Sequence, residues 1–396
     1  MGVLKVTFFG KRSNPRCTLF ALVLMASIVT ACVGLFLLKS TPKAEPTLRF
    51  VSIIHRHGER APLIPFSFDP HEEAPSWPEG LGALLQKGKE TMYELGRFLR
   101  YRYDGFVSST YKAREISMVS AEIDRCIMSA QLVLAGLYPP VGIQVWNPDI
   151  PWQPIPVHTI PTSCDDILRV YKKCSLLSKE RKKRTERVIR HIFEYYKTFL
   201  KDLSQKVGQE IVDYAGMYAI NDNLQALETL QLPTPDWADE IVREKLNSIV
   251  GSFFTEFRTP TMIKLESGVF INEILSNMKQ KANGSSTFER RMNVYSASDR
   301  VMLNLWDGMN ITKRISGVPP CGAALIIELH EIDSEYRIKI LYKNGDLNEN
   351  LEVLKIGSCQ RTPISSKDEM CDLKEISEAL EPAIITDFDE ACENSK

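Results

Sequence analysis

Leu48-Arg49-Phe50-Val51-Ser52-Ile53-Ile54-His55-Arg56-His57-Gly58-Glu59-Arg60-Ala61-Pro62 is the stretch on which the reading of the fold turns. From Leu48 to Ile54 it is short, β-branched and mostly apolar, the pattern of a strand buried on both faces of a parallel sheet. Polar residues follow at once, beginning with His55 and Arg56. A polar cluster directly after a buried strand falls at the carboxyl edge of the sheet, where open α/β folds bind ligands.

Outward from this stretch the texture alternates. Leu84 to Tyr103 carries Met92, Leu95, Leu99 and Tyr103 at helical spacing, with Arg97, Arg100 and Arg102 elsewhere on its surface, an amphipathic helix packed on a sheet. Ile116 to Ser120 reads as a strand, and Ala121 to Leu137 as a helix that stops before Pro139-Pro140. Between Pro161 and Phe254 the chain turns helical, with long charged stretches at Ser178 to Lys201 and Trp237 to Ile249. The basic run Arg181-Lys182-Lys183-Arg184 is flanked by Glu180 and Glu186, so it reads as a solvated helix face and not as a nucleic-acid patch. Ser267 to Lys281 is a predicted helix, and Arg291 to Tyr295 a strand running into Ser296-Ala297-Ser298-Asp299. Cys321 to Ile327 and Tyr336 to Tyr342 form a predicted hairpin turning at Asp333-Ser334. The expected fold class is α/β: a mixed, largely parallel sheet flanked by helices, with a smaller inserted all-helical cap domain. Residues 48–160 and 255–396 make up the α/β part, and 161–254 the cap.

The chain has 396 residues, 44% hydrophobic and 25% charged, with a formal net charge of −1. No global field draws in nucleic acid, so anion recognition has to be local. Cys17 to Leu38 runs without a charge for long enough to cross a bilayer. Lys5, Lys11, Arg12 and Arg16 precede it, against Lys39 and Lys43 just after, which orients residues 1–16 to the cytosol and makes 17–38 a signal-anchor, with 39–47 as a stalk. The expected protein is single-pass in the secretory pathway, with its folded part in the lysosome or at the cell surface. A cleaved signal peptide, leaving a secreted protein, is the rival reading. Of nine cysteines, Cys17 and Cys32 fall in the span, and the seven others face an oxidising compartment. None shows Cys-x-x-Cys spacing, so no metal site is expected. Asn283-Gly284-Ser285 and Asn310-Ile311-Thr312 are N-glycan sequons.

As bare chemistry, Arg56 and Arg60 on a turn that Gly58 permits can present forked donors to one phosphate, and His57 between them supplies an imidazole nucleophile. Phosphoryl transfer needs in-line attack and dispersal of negative charge, which this cluster offers without a metal or cofactor. The bland alternative is surface ion pairs around a structural histidine.

The segment resembles the signature of the histidine acid phosphatases, the lysosomal and prostatic type of acid phosphatase. The similarity extends over most of the chain after Leu48, and Trp146-Asn147-Pro148, Trp152 to His158 and Asn272 to Leu275 resemble the animal branch. The resemblance implies that His57 forms a phosphohistidine, that Arg56 and Arg60 bind the phosphate, and that Arg125, in Ser120 to Cys126, completes the clamp. By spacing alone Arg125 is equally an exposed helix residue paired with Glu122. The family's Tyr-Ser-Ala-His-Asp reads Tyr295-Ser296-Ala297-Ser298-Asp299 here. Asp299 matches the general acid, which favours an acidic optimum; Ser298 replaces a phosphate-contacting histidine. Loss of one such donor lowers kcat by about 10² to 10³. Two readings stand: a weakened acid phosphatase acting on a small phosphomonoester, or a pseudophosphatase ectodomain that binds phosphoesters without turnover. The acidic loop tip Asp69 to Glu73 disfavours highly anionic inositol phosphates. The resemblance also implies disulfides Cys174 with Cys392 and Cys359 with Cys371, leaving Cys126, Cys164 and Cys321 unassigned, with Cys126 read as a buried helix thiol. A homodimer is the expected assembly if the chain self-associates.

Overall fold

The structure is a computed structural model that describes residues 44–68, 77–170, 174–256, 258–285, 287–313, 315, 317–345, 350–357, 359 and 370–393. The apolar stretch Cys17 to Leu38 and the acidic loop tip lie outside these residues. Among the described residues no helix is long and apolar enough to cross a membrane.

The opening stretch forms β1 (Leu48–Arg56), whose interior is fully buried as its apolar run demands. Beside it lie β4 (Met292–Ala297), then β2 (Ile116–Ala121) and β3 (His158–Ile160), all parallel. On the other side β5 (Ala324–Ile332) and β6 (Glu335–Lys343) run antiparallel, followed by β7 (Glu352–Leu354), with β8 (Cys371–Asp372) also paired to β6. The sheet order is β3-β2-β4-β1-β5-β6-β7. Asp333 and Ser334 join the hairpin with φ of 54° and 67°, the doubly positive geometry that suits a two-residue hairpin turn. Cys321, expected in that first strand, sits in the loop before it.

Helices α1 (Gln86–Arg102) and α2 (Asp124–Leu137) cover one face. They touch through Gly96 and Gly136, where an added Cβ would meet the partner backbone at 2.2 and 2.3 Å. The segment after β3 holds α3 (Ser175–Tyr195), α4 (Lys197–Val207), α5 (Tyr214–Thr229) and α6 (Glu240–Glu256) around a hydrophobic cluster of their own. Then α7 (Pro260–Ala282) does two jobs: Met262 and Leu265 pack in that helical cluster, while Phe270, Ile274 and Met278 pack on the sheet. Helices α8 (Asp299–Gly308) and α9 (Leu373–Leu380) share the sheet face with it, and α10 (Phe388–Glu393) returns to the helical cluster. There the Cys174–Cys392 disulfide closes a separation of 218 residues, and Cys359–Cys371 closes one of 12. Long-range closures of this kind stabilise by about 2 to 4 kcal/mol.

Two further expectations need correction. The predicted helix from Ser267 begins at Pro260, because Thr259 accepts a hydrogen bond from Met262 N–H at 3.2 Å and proline occupies the first turn. The basic run is not wholly solvated: Lys182 and Lys183 are exposed, but Arg181 turns inward to pair with the buried Glu266.

Candidate active site

Parallel pairing aligns the chemistry. Ile54 is in register with Tyr295 and Arg56 with Ala297, while Ser120 on β2 is in register with Ser296. The residues just beyond these three strand ends therefore emerge at one edge of the sheet: Arg56 and His57 from β1, Arg125 from β2, Ser298 and Asp299 from β4.

The turn after β1 is held by backbone bonds: His57 N–H donates to Ala297 O at 3.1 Å, and Gly322 N–H to His57 O at 3.2 Å. Gly58 is needed here for close approach, not for a left-handed φ. A Cβ on Gly58 would lie 2.4 Å from Gly88 O, and one on Gly88 would lie 2.1 Å from Glu59 O. This glycine pair lets the motif loop rest directly on the first turn of α1.

His57 is 2% exposed, and its Nδ1 lies 2.9 Å from Gly58 O. A carbonyl only accepts, so Nδ1 carries the proton and Nε2 keeps its lone pair. Burial first, then the positive charges of Arg56, Arg125 and Arg60, hold the His57 pKa well below the usual histidine value. Burial and the three guanidiniums thus both favour the neutral imidazole, with the Nε2 lone pair left by the Nδ1–H bond to Gly58 O.

Arg56 donates through Nη1 to Pro319 O at 2.5 Å and pairs through Nη2 with Asp299 Oδ2 at 2.8 Å. Arg60 is 8% exposed; its Nη1 meets Asp222 Oδ2 at 2.9 Å and its Nη2 donates to the Tyr218 hydroxyl at 2.9 Å. Arg125 is the second residue of α2. It has no hydrogen bond or ion pair among the described residues, and burial with the like charge of Arg60 pushes its pKa down. Its alternative partner, Glu122, instead accepts from Thr162 N–H at 2.7 Å. Ser298 is the N-cap residue of α8 but makes no side-chain capping bond, and Asp299 opens the helix with Oδ1 accepting from Arg300 N–H at 2.7 Å.

Arg56 and Asp299 line a cleft of about 490 Å³ together with Glu59, Tyr218, Asp222 and Cys321. Tyr218 and Asp222 were not legible as site residues, because they lie on α5, some 160 positions from the motif they touch. Cys126 is buried, and burial pushes its thiol up to about 11; Cys164 is exposed and Cys321 partly buried. Among the described residues no group of three or more His, Cys, Asp or Glu side chains could hold a metal ion.

The chain resembles known proteins along most of its length. Bovine prostatic acid phosphatase is 34% identical over 360 residues, 87% of either chain. Lysosomal acid phosphatase of Xenopus laevis is 31% identical over 395 residues, 97% of this chain and 85% of its relative. Among solved structures, Hafnia alvei phytase in complex with tartrate matches with a TM-score of 0.67 at 17% identity, covering 88% of this chain and 99% of that one, which shows a shared fold. The family description "Histidine phosphatase superfamily (branch 2)" matches residues 47–343, three quarters of the sequence, and the chain belongs to that superfamily.

Proposed function

We propose that this chain is an acid phosphatase that hydrolyses phosphomonoesters through a phosphohistidine on His57. The observation that carries the reading is the Nδ1–H bond to Gly58 O, which leaves Nε2 unprotonated among three guanidiniums. The phosphoryl group is bound by Arg56, Arg60 and Arg125, and among the described residues Arg125 has no hydrogen-bond or ion-pair partner to give up. Nε2 attacks phosphorus as the bond to the leaving oxygen breaks, and protonated Asp299 gives that oxygen its proton. A phosphate bound to Arg56 competes with Asp299 for the same guanidinium, which places the carboxyl beside the reacting group. In the second half, the Asp299 carboxylate takes a proton from water, which attacks phosphorus; the N–P bond breaks and inorganic phosphate leaves. Ser298 contributes a neutral hydroxyl to the same site, so turnover is weakened relative to a histidine in its place.

The test is release of phosphate from an aryl phosphate at pH 4 to 6, with acid-labile, base-stable phosphate trapped on His57 after a brief pulse. No release by the wild type and none by Ser298→His would overturn the enzyme reading in favour of a phosphoester-binding pseudophosphatase, for which Ser298 is the motivating residue.

The relatives carry the names lysosomal and prostatic acid phosphatase, which supports a lysosomal or secreted setting for this chain. Anchoring through residues 17–38 and glycans on Asn283 and Asn310 belong to the same proposal, and both asparagines are exposed. A homodimer is supported by the exposed apolar side chains Ile143, Trp146 and Trp152 in one loop. The cap at residues 161–254 and the acidic loop tip stay with the substrate reading: small phosphomonoesters, not inositol polyphosphates.

A further inference from the structure

Of the groups lining the cleft, one carboxylate is left over. Asp299 is paired with Arg56, Asp222 with Arg60, and Glu228 with Arg243. Glu59 is held only through Oε1, which accepts from Thr91 Oγ1 at 3.3 Å, while Oε2 is buried and has no hydrogen-bond partner among the described residues. A buried acceptor without a donor is unfavourable unless something arriving in the cleft supplies one.

The wall that Glu59 shares points to what arrives. Arg56 is the sole Lys or Arg among the lining residues. The cap side contributes the uncharged Asn221, Gln225 and Asn247, two of which are bonded to each other, Gln225 Nε2 to Asn247 Oδ1 at 3.1 Å. With Arg56 taken by the reacting phosphate, a second phosphate on the leaving group would meet no cation among these residues and an unmatched carboxylate instead. A leaving group that carries an ammonium would meet its complement. Glu59 lines the same cleft as Arg56 and Asp299, the ion pair to which the proposed phosphate and its leaving group are assigned. A cleft of about 490 Å³ has room for a phosphate and a small alcohol together.

We infer that Glu59 is a specificity-determining residue whose free carboxylate oxygen receives the ammonium of the leaving alcohol, making phosphomonoesters of small amino alcohols the preferred substrate class. The inference rests on the phosphatase reading above for turnover, but not for binding.

The experiment compares two near-isosteric probes, 2-aminoethyl phosphate and 2-hydroxyethyl phosphate, on the full chain at pH 5. Wild type is expected to favour the amine by about tenfold in kcat/KM, the scale of one partly screened charge pair. Glu59→Gln should bring the ratio close to one, and Glu59→Asp should retain part of it. A wild-type ratio near one, or an undiminished ratio in Glu59→Gln, overturns the inference. Should Glu59→Gln fail to fold, the wild-type ratio decides alone. If the wild type hydrolyses neither probe nor an aryl phosphate, the phosphatase reading fails separately, and the same ratio measured as dissociation constants by calorimetry still decides for or against Glu59.

Discussion

Arg60 and Asp222 form a buried ion pair, Nη1 to Oδ2 at 2.9 Å, that joins the motif loop to helix α5. The same Asp222 oxygen accepts from Leu63 N–H at 2.8 Å, and Asn223 on the next position donates to Ile64 O at 2.8 Å. The helical segment thereby fixes the direction of a guanidinium that the motif itself supplies. Removing one member of a buried pair leaves the other charged and uncompensated, which costs about 3 to 5 kcal/mol. Asp222→Ala is expected to lose stability on that scale in urea denaturation, whereas Tyr218→Phe, which removes one hydrogen bond to Arg60, should lose about 0.5 to 1.5 kcal/mol. Equal losses in the two variants would count against Asp222 as the anchor.

Ser298→His is expected to raise kcat toward aryl phosphate by about 10² to 10³, since an imidazole adds a donor and can carry charge where a hydroxyl cannot. Steady-state kinetics at pH 5 measure this. Unchanged or lower kcat in a folded variant would show that Ser298 is not the weak point of the site.

Arg125→Gln removes one of the positive charges that depress the His57 pKa. The sign follows from charge: with less repulsion, protonated His57 is less disfavoured and its pKa rises. The acid limb of kcat/KM, where protonation silences the nucleophile, should move to higher pH than in the wild type, and phosphate should bind more weakly as an inhibitor. A full pH profile of both proteins checks the two effects together, and an acid limb that stays put would exclude Arg125 from the field around His57.

Two buried groups both cost stability in acid, over adjoining ranges of pH. Burial works against the charged Glu328, but the hydrogen bond from His330, the charge of Arg102 and the hydrogen bonds from Tyr103 and Arg102 bring its pKa down to about 2. Its pKa is lower folded than unfolded, so its contribution is complete above about pH 4.5 and is lost as pH falls toward 2, a difference on the order of 3 kcal/mol. Burial alone takes His55 down to about 4, against a backbone hydrogen bond that raises it slightly. The unfolded chain binds that proton first, so stability drains as pH falls from about 6.5 to 4. His55→Leu is expected to flatten the stability curve between pH 6.5 and 4, while Glu328→Gln should lower it throughout that range. Thermal denaturation across pH 3 to 7 measures both, and a His55→Leu curve parallel to wild type would refute the first.

Much of the architecture was legible because it is written in local patterns. The apolar run of β1 ending in Arg56 and His57, and β4 ending in Ser298 and Asp299, could be recognised from period and polarity alone. The start of α7 was equally available in Thr259-Pro260, a cap residue followed by a first-turn proline, but the polar Glu266 and Ser267 broke the apolar stripe and hid it. Those two are buried, 4% and 1% exposed, and Glu266 receives both Arg181 and Arg300. An ion pair between residues 85 positions apart has no signature at either position, which is why Arg181 read as solvated.

By itself the sequence determined which strands would be buried, where their polar ends would fall, and which residue types could bind and attack a phosphate, because strand period, burial and side-chain chemistry depend on neighbours a few positions away. Tertiary structure alone decided that the charge of Arg125 acts on His57, that Asp222 and Tyr218 orient Arg60, and that Gly58 and Gly88 meet back to back. Those relations exist only once the sheet register brings three strand ends to one edge and a distant helix packs over them, and no local property of the chain encodes a distance across that closure.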